Sequence, residues 1–146
     1  YMPVYGVEMR GGTANCTVTV SNRDVGSPVA ARPNGVIAMN EPSVTKFGPR
    51  IAPGGFLLVN SSMAPGLDFR RDGVDVLFLP CSEIALEVGD AKLASMIALG
   101  AYAARTGVVA VENLELALPE VLPAKAHKLI PKNIEALREG ARRAGE

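Results

Sequence analysis

The sequence predicts an α/β protein built on a mostly parallel sheet, and three observations carry that expectation. The apolar runs "GVIAM" (35–39), "FLLVN" (56–60) and "VDVLFL" (74–79) do not alternate, so each is covered on both faces, as parallel strands inside an α/β sheet are. A short connection with helix-start signals joins the first two runs. Helical patterns fill most of the second half. At 146 residues and 48% hydrophobic content, with 15 glycines and 11 prolines, the chain is expected to form one domain, residues 1–146, with a sizeable core.

The elements follow in order. In "NCTVTVS" (15–21), Cys16, Val18 and Val20 alternate with Thr17 and Thr19, the period of a half-buried strand with the first set inward. "SNRDVGSP" supplies turn residues. After the run at 35–39, Asn40 can cap a helix whose first turn tolerates Pro42, and Gly54-Gly55 ends the connection, giving a short βαβ unit. "PCSEIALEVGD" offers Ser82 as an N-cap, a helix to about Val88 and Gly89 as its stop. A second helix runs from Asp90 to Arg105 and ends at Gly107. Its stretch from Leu93 to Ala104 is apolar nearly all round, so it should lie between neighbours. "VENLELALPEVL" and "PKNIEALREGARR" read as amphipathic helices, the second mildly basic.

Charge excludes some functions. Lys plus Arg equals Asp plus Glu at 15 each, and aromatics are 5% with no Trp, which argues against a nucleic-acid partner or an anionic membrane surface. No apolar run reaches the roughly 20 residues of a membrane span, and no signal segment opens the chain, so a cytoplasmic protein is expected. Cys16 and Cys81 belong to no CxxC or Cys/His cluster and read as small, buried residues.

Two places could carry chemistry. Ligands of open parallel sheets gather beyond the carboxyl ends of the strands, here "NEPS" (40–43), "NSSM" (60–63) and "PCSE" (80–83). Asn40, Asn60, Ser61 and Ser62 with free helix N-termini suit an anion, and equally are what caps and turns use. In "EMRGGT" (8–13), Glu8 and Arg10 project to one side of an extended chain, and Gly11 and Gly12 can expose a run of N–H groups. Arg10 could hold a phosphate or carboxylate oriented by Glu8, or the pair could steady a turn. Cys81 stands near a helix N-terminus, where a thiolate is stabilised, but the single histidine, His127, lies on a late segment between Lys125 and Lys128. Both are better read as non-catalytic.

"YGVEMRGGTANCTVTVSN", "GSP" (26–28), "VIAMNEPSVTKF" (36–47), "PGGFLLVNSS" (53–62), "ASMIALGAY" (94–102) and "IPKNIEALREG" resemble, in that order, the gamma subunit of the 2-oxoacid:ferredoxin oxidoreductases. The resemblance implies a Rossmann-like, three-layer α/β subunit. It implies a complex that oxidatively decarboxylates a 2-oxoacid, passes the acyl group to coenzyme A and reduces ferredoxin. Thiamine diphosphate, Mg and iron–sulfur clusters are then held by alpha, beta and cluster-bearing delta-type subunits, with no cofactor bound by this chain. A homodimer is an option for the chain in isolation. Tyr5, Gly6, Glu8, Arg10, Gly11 and Gly12 carry over as an interface and coenzyme A loop, and Asn40, Pro42, Asn60, Ser61 and Ser62 as further contacts. The first motif is most similar to those of 2-oxoglutarate and branched-chain 2-oxoacid enzymes, with 2-oxoglutarate the leading expectation. Family members also place a strand, a GxGGQG-like turn and a helix ahead of the YGxExRGG loop, and the expectation is that this segment is missing here. The alternatives are a stand-alone nucleotide- or coenzyme A-binding module and an acyl-transfer enzyme using Cys81.

Overall fold

The computed structural model describes residues 2–5, 14–22, 24–25 and 30–145. Contacts group the chain into two compact units, residues 1–33 and 34–146.

In the first unit, β1 (Met2–Tyr5) pairs antiparallel with β2 (Ala14–Thr17), in a register running from Met2 opposite Thr17 to Tyr5 opposite Ala14. Two expectations for this segment are corrected. The strand ends at Thr17 rather than at 21, because the ladder has no pairs beyond Thr17 among the described residues. The inward face is the other one: Asn15 and Thr17 are half-buried, whereas Cys16 is exposed and Val18 and Val20 are 65% and 79% exposed. Alternation distinguishes the two faces of a strand without saying which one a second layer covers.

The second unit bears out the α/β expectation. Strands β3 (Gly35–Ala38), β4 (Gly55–Asn60) and β5 (Val74–Leu79) form a parallel sheet in the order β3-β4-β5. Every residue of the central strand is buried, as its unbroken apolar run requires. Its side chains feed two cores. Leu57 and Val59 pack with Ala38, Val44, Ile51 and Ala64 on the side of α1 (Glu41–Phe47). Phe56 and Leu58 pack with residues of α2 (Cys81–Val88), α3 (Ala94–Thr106) and α5 (Ile130–Ala144) on the other side. Burying one such Leu or Phe side chain is worth about 1.5–3 kcal/mol. The result is the three-layer arrangement expected, with α4 (Val111–Val121) packed against α5 and α3.

Helix ends follow the sequence signals where those signals are local. Asn40 caps α1 and Pro42 sits in its first turn. Gly89 and Gly107 close α2 and α3 with φ of 115° and 64°, left-handed values that glycine adopts without a Cβ penalty. The apolar helix is indeed enclosed: Ala94, Ile97, Ala98, Gly100, Ala101 and Ala103 are buried. Its tightest contact is reciprocal. A Cβ placed on Gly100 would run into the Leu137 carbonyl of α5, and one on Gly140 into the Ile97 carbonyl of α3. Glycine at both positions lets the two backbones touch. Across the sheet, Arg105 at the end of α3 grips Asp75 of β5 through two bonds of 2.8 and 3.3 Å.

Candidate functional site

The carboxyl ends of β3 and β4 and the start of α2 bring the polar residues singled out from the sequence to one edge of the sheet. Asn40 follows β3 with extended backbone, and its Oδ1 accepts from the Ser43 backbone N–H at 3.0 Å and from the Ser43 hydroxyl at 2.7 Å. Asn60 ends β4 and is 1% exposed. Its Nδ2 donates to Ser82 Oγ at 3.0 Å, while its Oδ1 accepts from the Ser82 N–H at 3.4 Å. Ser62 Oγ accepts from the Glu83 N–H at 3.4 Å. The first-turn donors of α2 at Ser82 and Glu83 are thus satisfied from the end of the neighbouring strand.

The expectation that Ser82 caps α2 is therefore corrected. Pro80 holds the N-cap position and Ser82 lies inside the first turn. The cap is supplied across 22 residues of chain, a pairing that local capping rules cannot see. Asn40, Asn60 and Ser62 all hold chain together at this edge. Ser61, which opens a 3₁₀ turn, is half-buried, and its hydroxyl has no hydrogen-bond partner among the described residues. Of the loop residues, Tyr5 is the last residue of β1, and Gly6, Glu8, Arg10, Gly11 and Gly12 lie outside the described residues.

Cys81 has the surroundings of a core residue. It is fully buried, and burial pushes its thiol up to about 12, outweighing a backbone hydrogen bond that favours the thiolate. His127 sits in the exposed 3₁₀ segment Ala124–Leu129, with Nε2 3.0 Å from the Leu122 carbonyl. A carbonyl can only accept, so that nitrogen carries the proton and holds its own turn. Neither residue is arranged as a nucleophile and its base. Among the described residues no group of His, Cys, Asp and Glu could hold a metal ion, and no helix is long and apolar enough to cross a membrane.

Other polar contacts had no clear signal in the sequence. Arg71 Nη1 donates to the Gly48 and Ile51 carbonyls at 3.0 and 2.6 Å, tying the chain after α1 to the approach to β5. Glu139 of α5 is held at about 2 by its hydrogen bond to Arg142, helped by Arg143, which also reaches Glu87 of α2. The spacing of Glu139 from Arg142 and Arg143 marks the local pairs. Nothing in the sequence marks Glu87.

A family model, that of pyruvate ferredoxin/flavodoxin oxidoreductase, matches residues 1–143. The chain belongs to this family. The ketoisovalerate oxidoreductase subunit VorA of Methanothermobacter thermautotrophicus is 35% identical over 148 residues, covering 100% of this chain and 30% of the relative. The 2-oxoglutarate synthase subunit KorC of the same organism is 30% identical over 141 residues, covering 93% of this chain and 73% of the relative. The chain thus spans about a third of the length of VorA. Among solved structures, the gamma subunit of a keto/oxoacid ferredoxin oxidoreductase from Geobacter sulfurreducens superimposes with a TM-score of 0.67 at 26% identity, over 76% of this chain and 63% of that one. A 2-oxoglutarate:ferredoxin oxidoreductase from Magnetococcus marinus, solved with 2-oxoglutarate, coenzyme A and succinyl-CoA, gives 0.61 at 25% identity, over 77% of this chain and 20% of that one. The fold and the gamma-type resemblance expected from the sequence are both borne out.

Proposed function

We propose that the chain is the gamma-type component of a 2-oxoacid:ferredoxin oxidoreductase and supplies structure and a coenzyme A contact. In the complete reaction a 2-oxoacid, coenzyme A and two oxidised ferredoxins give the acyl-CoA, CO2, a proton and two reduced ferredoxins. The observation that carries the reading is the family match over residues 1–143, supported by the likeness to the Geobacter gamma subunit. The carbon–carbon cleavage and electron transfer are assigned to other subunits of the complex, with thiamine diphosphate, Mg and the iron–sulfur clusters. A cluster is typically held by four thiolates, and the chain's two cysteines do not fit such a set: Cys16 is exposed in one unit, and Cys81 is buried in the other with its thiol protonated.

Coenzyme A is assigned to the loop from Tyr5 to Gly12, and the strand-end edge is assigned, separately, as a contact for coenzyme A or for another subunit. Arg10 supplies a cation for a phosphate or carboxylate, and Gly11 and Gly12 supply backbone N–H groups. At the edge, Ser61 has a hydroxyl to offer, while Asn40, Asn60 and Ser62 keep the surrounding turns in place. The leading substrate is 2-oxoglutarate, as in KorC; ketoisovalerate is the second reading, favoured by the higher identity to VorA. The test is the assembled complex carrying this chain. Arg10→Ala should raise the KM for coenzyme A or loosen assembly, and turnover should favour 2-oxoglutarate over ketoisovalerate and pyruvate. Unchanged coenzyme A kinetics with unchanged assembly would sink the loop assignment, and a preference for ketoisovalerate would replace the substrate.

A further inference from the structure

Strand β5 is the last strand of its sheet: β4 pairs with one side of it, and among the described residues no strand pairs with the other. Natural sheets blunt an open edge with a very short strand, a bulge, a Pro or a Lys. β5 has none of these. It is six residues long, reads VDVLFL and runs in unbroken register with β4. Its one charge, Asp75, is matched within the chain by Arg105. Val74, Val76 and Phe78 pack on the α1 side of the sheet and are only half-buried. Together with Leu67 and Phe69 they line an open cleft of about 610 Å³. Asp75 lines it too, although its side chain points to the opposite face, where it meets Arg105 of α3. A cleft bordered by residues of both faces lies along the edge of the strand, where the N–H and C=O groups not used by β4 point outward.

We propose that this edge takes β5 of a second copy of the chain, antiparallel, so that two three-stranded sheets become one of six strands. An open edge recognises an extended backbone, and the side chains at alternate positions of that backbone must fit the face beside it. β5 itself meets both requirements. With Val76 opposite the partner's Val76 on a two-fold axis perpendicular to the sheet, Val74 meets the partner's Phe78 and Asp75 meets the partner's Leu77. In this register the apolar pairs stay on the α1 side of both copies. No like charges are opposed, because Asp75 keeps Arg105 and faces a leucine. The inference goes beyond the subunit reading and does not depend on it, since it concerns only the chain and its copy.

The experiment follows the full chain by sedimentation velocity from about 1 μM to about 1 mM, where dimer should grow with the weak affinity of a small interface. Amide hydrogen exchange over residues 74–79 should slow in step with the dimer. Cysteine crosslinking then reads the register in a Cys16→Ser background, the buried Cys81 staying unreactive. Under a mild oxidant Val76→Cys should give a disulfide-linked dimer at least about tenfold faster than Val74→Cys, because only position 76 lies opposite itself. Unfolding midpoints of both variants are measured first. If Val76→Cys unfolds early, the exchange of the unaltered chain decides. A chain that stays monomeric throughout, a dimer whose residues 74–79 exchange no more slowly, or equal crosslinking at positions 74 and 76 would overturn the pairing. Protection of residues 74–79 that arises only in the assembled oxidoreductase would give the edge to a different subunit and overturn the second copy.

Discussion

Asn60 and Ser82 hold each other through both of their polar groups: the amide Nδ2 donates to the Ser82 hydroxyl at 3.0 Å, and Oδ1 accepts from the Ser82 N–H at 3.4 Å. The bond pair joins the last residue of the central strand to the first turn of α2. With the Ser62 to Glu83 contact beside it, this junction fixes the carboxyl edge of the sheet.

Asn60→Ala should therefore cost stability out of proportion to its size. The substitution leaves the Ser82 N–H and hydroxyl without their partner beside a residue that is 1% exposed, a loss of about 1–3 kcal/mol. Urea unfolding of the chain reads this directly. A midpoint equal to that of the unaltered chain would show that water replaces both bonds without cost.

Gly100 and Gly140 make the opposite of the usual glycine prediction. In an open helix interior, replacing Gly by Ala stabilises by about 0.5–1 kcal/mol. Here each Cβ would collide with a backbone carbonyl of the other helix, so α3 and α5 must move apart, at a cost of at least about 1–3 kcal/mol. Gly100→Ala and Gly140→Ala should each lower the unfolding midpoint. The double variant should cost less than the sum, because one separation of the helices relieves both clashes. Stabilisation by either single substitution would contradict the close approach.

The two cysteines should separate cleanly in a labelling experiment. Cys16 is exposed, whereas Cys81 is fully buried with its thiol raised to about 12, a thiolate fraction on the order of 10⁻⁴ at pH 8. A maleimide or disulfide reagent added to native protein should take up one equivalent, and Cys16→Ser should abolish the reaction until denaturant is added. Rapid labelling of native Cys16→Ser would restore Cys81 as a candidate nucleophile and with it the acyl-transfer alternative.

Much of this architecture was legible because its signals are short-range. The unbroken apolar run at 56–60 requires cover on both faces, and β4 is the central, wholly buried strand. Asn40 lies three residues from the Ser43 N–H it caps, and Gly89 and Gly107 end their helices at the positions expected. Cys16 is exposed against expectation because alternation at 15–21 carries no label for the covered face. Ser82 has the residue type of a good cap, yet the group that caps the turn comes from the end of β4.

Periodicity, local backbone preference and the order of motifs along the chain are enough to specify the α/β class, the three parallel strands, the helix stops and the family. Tertiary structure alone decided that Asn60 and Ser62 serve α2, that Gly100 and Gly140 face each other, and that the two cysteines differ in exposure. The physical reason is common to all three. Each is a contact or a burial between segments distant in sequence, and the side-chain chemistry of either segment alone does not specify which partner the packed layers will bring within bonding distance.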